Sequence, residues 1–164
     1  MTSLTAADVE ALAIRVVTEN AARGRKVALA ESCTGGLVCG AITEVPGSSA
    51  VLDRGFVTYS NESKEEMLDV PADLIEAFGA VSPAVAWAMA QGALKHSSAD
   101  VAVAISGVAG PDGGTDMKPV GTVVFACAFR GEADVNAEQR QLDGNDRAAI
   151  RRQATVVALE LLLP

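Results

Sequence analysis

The chain has 164 residues, 49% of them hydrophobic but only 4% aromatic, and a formal net charge of -8. Length allows one domain spanning 1–164 with a real core; the acidic balance argues against a nucleic-acid partner, and no apolar stretch approaches membrane-spanning length. Cys33, Cys39 and Cys127 are an odd number with no CxxC pair, so neither a disulfide framework nor a zinc site is expected, and cytoplasmic is the default compartment.

The start, Met1-Thr2-Ser3-Leu4, lacks the basic segment and apolar core of a signal peptide. Thr5-Ala6-Ala7-Asp8 resembles a capping box with Asp in place of the usual Glu or Gln. Val9, Leu12, Ala13, Val16 and Val17 then recur at helical spacing, and Gly24 is a plausible stop. A buried strand is predicted over Lys26 to Ala30, followed by the polar run Glu31-Ser32-Cys33-Thr34-Gly35-Gly36 and a helix over Leu37 to Ile42. Pro46-Gly47-Ser48-Ser49 breaks the chain. Gly55 to Ser60 reads as a strand, and Asn61 as the cap of a helix from Glu62 to about Asp69.

Pro71 to Phe78 predicts a short helix closed by Gly79, and Ser82-Pro83 a clear helix start. Val101 to Ile105 is a fully apolar run and so a central strand; it ends in the glycine-rich loop Ser106 to Thr115. Val120 to Phe129 and Val135 to Leu142 read as an antiparallel pair, and a last helix runs from about Asn145 or Asp146 to Leu162. Helices alternating with strands, and a core of Ala, Val and Leu, predict an α/β fold: a three-layer α/β/α sandwich around a mixed, mostly parallel central sheet.

The chemistry is bounded first by what is missing. His96, the single histidine, falls at a helix end beside Lys95 and Ser97, away from any strand-end turn, so a Ser-His-Asp triad is rejected. No His, Cys and carboxylate cluster has metal-ligand spacing. The strand-to-helix turn at Ser32 can bind an anion or expose a nucleophile beside unpaired helix-start amides. A serine needs a base, and a lysine serves if burial or a nearby cation lowers its pKa.

Lys64 follows the Tyr59 strand; if that strand is parallel to the one before Ser32, then Ser32, Tyr59 and Lys64 converge. On the residues alone each has a plainer reading. Ser32 could be a cap, with Thr34 equally good; Lys64 a surface lysine; Tyr59 a core filler. Cys33 is read as packed under the turn. The loop from Ser106 begins where ligands bind in open α/β sheets, yet it is neither a Walker A sequence nor G-x-G-x-x-G. Arg147, Arg151 and Arg152 open the last helix against the preference of its dipole, either held for an anionic ligand or simply solvated.

Five segments together resemble the CinA C-terminal-domain family of nicotinamide mononucleotide deamidases. They are Ala30 to Gly36, Val45 to Ser49, Gly55 to Lys64, Ser106 to Thr115, and Arg147 with Arg151 to Leu159. The resemblance implies hydrolysis of nicotinamide mononucleotide to nicotinate mononucleotide and ammonia, without a cofactor, by a homo-oligomer. It implies Ser32 as nucleophile, Lys64 as base and Tyr59 assisting. Glu31, Thr34, Gly35, Gly36, Ser49, Ser106, Gly107, Ala109, Gly110 and Arg147 would bind substrate, with Arg147 on the phosphate. Ser106 stands where the resemblance leads one to expect threonine; the hydroxyl is kept and a methyl lost. Two further readings fit the same residues: a non-catalytic nucleotide-binding module, and an amidase for another carboxamide.

Overall fold

The computed structural model describes residues 3–164. Thr5 and Asp8 form the expected capping box and start α1 (Ala6–Ala22). The chain then runs through β1 (Val27–Glu31), α2 (Leu37–Thr43), β2 (Leu52–Val57), α3 (Asn61–Leu68), α4 (Ala72–Phe78) and α5 (Pro83–Lys95). It closes with β3 (Val101–Gly107), β4 (Thr122–Phe129), β5 (Val135–Gln141) and α6 (Arg147–Leu161). No helix of the described residues is long and apolar enough to cross a membrane.

The strands form one sheet in the order β2-β1-β3-β4-β5. β1 pairs parallel with β2 and β3, while β3–β4 and β4–β5 are antiparallel. Four of the five strands therefore point the same way, with β4 reversed, and the sheet is mixed as expected. Alternation along each strand sends residues to opposite faces. Val27, Leu29, Val101, Val103, Ile105, Val123 and Phe125 pack with α1, α2 and α6. Ala28, Ala30, Ala102, Ala104, Ala126 and Ala128 face the α4–α5 side. The result is the α/β/α sandwich.

Several boundaries differ from expectation, among them those of β1, β2 and α3. β1 extends to Glu31 because Thr58 donates its amide to the Glu31 carbonyl and Ser32 donates to Ile105, which carries the ladder to the very end of the strand. β2 lies three residues earlier than the aromatic run suggests, at Leu52–Val57. Ser60 rather than Asn61 caps α3, its hydroxyl accepting from the Ser63 amide. Gly92 fixes how α3 meets α5: a side chain there would run into the backbone carbonyl of Leu68.

Candidate active site

β1, β2 and β3 are parallel, so their C-terminal ends share one edge of the sheet. From β1 the chain turns toward α2 on one face; from β2 it turns toward α3 on the other. A crevice opens where neighbouring strands send the chain to opposite faces, the usual ligand position in open α/β sheets. Here it is a cavity of about 190 Å³, lined by Ser32 and Cys33 after β1, and by Tyr59, Asn61 and Lys64 around the start of α3. Ala80 and Val81 before α5, Ser106, Gly107 and Ala109 at the end of β3, and Arg147 on α6 complete it. A larger groove beside α1, about 360 Å³ and lined by Val9, Ile14, Val45 and Pro46, contains no nucleophile–base pair.

Lys64 is the centre of the site. It is 1% exposed, and its Nζ lies 3.0 Å from Ser32 Oγ, 2.8 Å from the Thr58 carbonyl and 3.3 Å from the Tyr59 carbonyl. No carboxylate pairs with it among the described residues. Burial therefore pushes its pKa below the ordinary lysine value. A neutral amine has two N–H donors and one lone pair. In that form the two carbonyls would take the donors and the lone pair would be left for the serine hydroxyl.

Ser32 is 8% exposed, and its Oγ opens into the cavity. The neighbouring Cys33 thiol belongs to the core beneath the turn, and burial pushes its pKa up to about 11. It stays a protonated thiol, as the reading of a packed neighbour expects.

Tyr59 sits at the mouth, 61% exposed. Its phenol accepts from Arg147 Nη2 at 3.0 Å, and only its main-chain carbonyl reaches Lys64. The hydroxyl is thus bonded across the mouth rather than to the Ser32–Lys64 pair. Arg147 Nη1 also donates to the Gly110 carbonyl at 2.8 Å. Both partners of Arg147 are uncharged, so its positive charge is left for an anion. Ser106 is 1% exposed, and its hydroxyl donates to the Ala80 carbonyl. The hydroxyl groups of Thr34 and Thr58, on the two segments flanking the pair, are buried without a partner among the described residues.

Several residues expected to touch substrate lie elsewhere. Glu31 is fully buried beneath the turn, and its carboxylate accepts from the amides of Gly36, Val38 and Cys39. It anchors the start of α2, where a negative charge is favoured. The Gly35 amide is engaged by the Ser32 carbonyl and the Gly36 amide by Glu31, which leaves the amides of Cys33 and Thr34 without an acceptor among the described residues. Ser49 lies just before β2 at the opposite edge of the sheet, where Val27 donates to the Val51 carbonyl. Gly110 stands behind Arg147 and orients it.

Sequence reasoning missed Asn61, Ala80 and Val81 as lining residues. Asn61 was within reach, since the first turn of a helix after a parallel strand faces the same edge as Ser32. Ala80 and Val81 carry no chemical signal; the strap from Ser106 to Ala80 brings them in.

Comparison with known proteins places the chain in a family. The CinA C-terminal domain model matches residues 9–164. A protein from Escherichia coli strain K12, named nicotinamide-nucleotide amidohydrolase PncC, is 55% identical over 142 residues, covering 86% of this chain and 84% of that one. A CinA-like protein from Anaeromyxobacter sp. strain K is 54% identical over 147 residues, covering 90% of this chain. The chain spans only 35% of that relative's length, and the same share of a relative from Symbiobacterium thermophilum. The crystal structure of the competence/damage inducible protein CihA from Agrobacterium tumefaciens superposes with a TM-score of 0.92 at 47% identity, covering 98% of this chain and 97% of that one. The chain belongs to the CinA C-terminal domain family.

Proposed function

We propose that this protein is a nicotinamide-nucleotide amidohydrolase that cleaves nicotinamide mononucleotide to nicotinate mononucleotide and ammonia, a step in pyridine-nucleotide recycling. The carrying observation is the 3.0 Å contact between Ser32 Oγ and a buried Lys64 Nζ that has no carboxylate partner among the described residues. The similarity to a protein named for this activity supports the choice of substrate.

Neutral Lys64 takes the Ser32 proton as Oγ bonds to the carboxamide carbon. The carbonyl oxygen becomes an oxyanion facing the Cys33 and Thr34 amides. The C–N bond then breaks, and ammonia leaves with the proton returned from the Lys64 ammonium, so the charge balances and an acyl-serine ester remains. Water, deprotonated by Lys64, attacks the ester; Ser32 leaves with the proton handed on by Lys64, and nicotinate mononucleotide departs as the carboxylate, its acid proton passing to the released ammonia or to solvent. The cavity receives the nicotinamide ring, while Arg147 at the mouth meets the phosphate. Tyr59 holds Arg147 there.

The test is ammonia release from nicotinamide mononucleotide by wild type and Ser32→Ala. Activity should fall at least about 10³-fold in the variant while the fold is kept. A folded Ser32→Ala protein with wild-type turnover would overturn the proposal.

A further inference from the structure

The turn that carries Ser32 is held from behind by a residue the mechanism above does not use. Ser32, Cys33, Thr34 and Gly35 form a turn closed by the Gly35 amide donating to the Ser32 carbonyl at 3.0 Å. The peptide between Cys33 and Thr34 is the central one of the three that join these residues. Such central peptides have little of their own to fix them, because the closing hydrogen bond does not involve them. Thr34 has no positive φ, so the turn is not of type II, which requires one at that place.

Arg151 supplies what the turn lacks. Its Nε donates to the Cys33 carbonyl at 3.0 Å and its Nη2 to the Thr34 carbonyl at 3.1 Å. In a planar trans peptide the C=O and the following N–H point in opposite directions. Fixing the Cys33 carbonyl toward α6 therefore fixes the Thr34 N–H away from it. The Ser32 carbonyl, held by the Gly35 amide, fixes the Cys33 N–H in the same way. A flip of the central peptide would put a carbonyl oxygen where an oxyanion needs a donor.

Arg151 also lies one helical turn beyond Arg147 in α6, so the two side chains share a face. One guanidinium stands at the mouth of the cavity and the other beneath the turn. Neither pairs with a carboxylate among the described residues. Arg147 is the first residue of α6, where the dipole disfavours a cation. For Arg147 the outlet is an anionic ligand; for Arg151 both carbonyl partners belong to the Ser32 turn.

We propose that Arg151 is a positioning residue for the oxyanion donors: its fork on the Cys33 and Thr34 carbonyls locks the central peptide of the Ser32 turn in the orientation that presents the Cys33 and Thr34 amides to the reacting carbonyl. The inference rests on the Ser32–Lys64 acyl-transfer reading. It assigns Arg151 no contact with substrate. Its loss should raise the barrier and leave ground-state binding alone.

The experiment measures steady-state ammonia release from nicotinamide mononucleotide for wild type, Arg151→Met, Arg151→Lys and Ser32→Ala, with thermal unfolding of each. Equilibrium binding of the same mononucleotide is measured on Ser32→Ala and on the Ser32→Ala/Arg151→Met double variant. Loss of a single oxyanion donor costs on the order of 10²–10³ in kcat, so Arg151→Met should lose about 10²-fold in kcat. KM, and the affinity measured in the Ser32→Ala background, should stay within about threefold. Arg151→Lys keeps the charge and one of the two bonds, and should fall between.

A wild-type kcat in Arg151→Met overturns the inference. So does a parallel loss of affinity and kcat, which would make Arg151 a binding residue. If Arg151→Met does not fold, Arg151→Lys decides by the same split; if neither folds, Arg151 is structural and the inference fails. Turnover retained by Ser32→Ala would instead remove the acyl-transfer reading itself, whatever Arg151 does. Silence in Ser32→Ala with full activity in Arg151→Met removes this inference alone.

Discussion

Replacing Lys64 by methionine should silence the enzyme and make it more stable. Lys64 is buried with carbonyls and a hydroxyl around its amine and no counter-charge among the described residues, so folding must either desolvate its ammonium or strip its proton. Removing an ion from water carries a penalty of several kcal/mol even after relaxation. Methionine keeps an unbranched apolar chain and removes that penalty. The opposing cost is the Thr58 carbonyl, which loses its donor; one unsatisfied buried acceptor costs about 1–3 kcal/mol. Tyr59 is exposed, so its carbonyl can turn to water.

The balance favours Lys64→Met by about 1–2 kcal/mol near neutral pH, a rise of roughly 2–8 °C in Tm for a chain of this size. The sign with pH follows from the lowered pKa. Below the folded-state value both folded and unfolded chains carry the proton, and the full penalty is present. As pH climbs from that value toward the unfolded lysine value, the folded protein sheds the proton first, and wild type gains stability relative to the variant. The advantage of methionine should therefore shrink in alkaline solution. Turnover should fall by at least about 10²–10⁴-fold, the usual loss with a general base. Calorimetry across a pH series, with ammonia release on the same samples, reads both effects. A variant that melts below wild type at neutral pH, or that keeps turnover within about tenfold, refutes the assignment of an uncompensated buried base.

Two further substitutions separate the mouth from the centre. Arg147→Ala should weaken binding of nicotinamide mononucleotide by roughly 10–100-fold, since a hydrogen bond to a charged group contributes about 1.5–3 kcal/mol; nicotinamide riboside, which lacks the phosphate, should lose far less. Tyr59→Phe removes only the phenol oxygen that accepts from Arg147, so KM should rise by about two- to fivefold with kcat unchanged. A fall in kcat of about 10²-fold or more would instead make that phenol a proton carrier.

The parts of the site that were legible from sequence are those that follow from strand ends. An apolar run followed by Ser32, and a second strand followed by Lys64, place both groups on one edge as soon as the strands are parallel. The loop after Val101–Ile105 follows by the same logic. Motif membership misled where it could not separate contact from support. Glu31 stands beside the nucleophile in sequence, but as the last strand residue it alternates to the α2 face and is consumed by three amides. Ser49 shares a motif but sits on a turn at the far edge. The Tyr59 phenol turns outward to Arg147, a contact across 88 positions that no local pattern encodes. The grip of Arg151 on Cys33 and Thr34 spans more than a hundred positions and is equally invisible.

The low aromatic content acquires a mechanical sense in this light. A lysine side chain is short against the spacing of helix and sheet layers, so Lys64 reaches Ser32 only if α3 lies close to the strand ends. The sheet face on that side is mostly alanine, with Ala28, Ala30, Ala102, Ala104, Ala126 and Ala128 beside Val124, and the buried residues of α5 include Ala86, Ala90 and Ala93 along with Val85 and Met89. Small residues on both surfaces bring α5 down onto the sheet. Gly92, which leaves no room for a side chain against Leu68, then lets α3 come down onto α5. The opposite face, with Leu29, Val103, Ile105 and Phe125, carries the bulk of the core instead. Larger side chains on the alanine face would bury more area and add stability, since each buried methylene contributes about 0.8 kcal/mol. They would also lift the layer that carries the base. The asymmetry between the two faces is thus a condition for the 3.0 Å contact on which the chemistry depends.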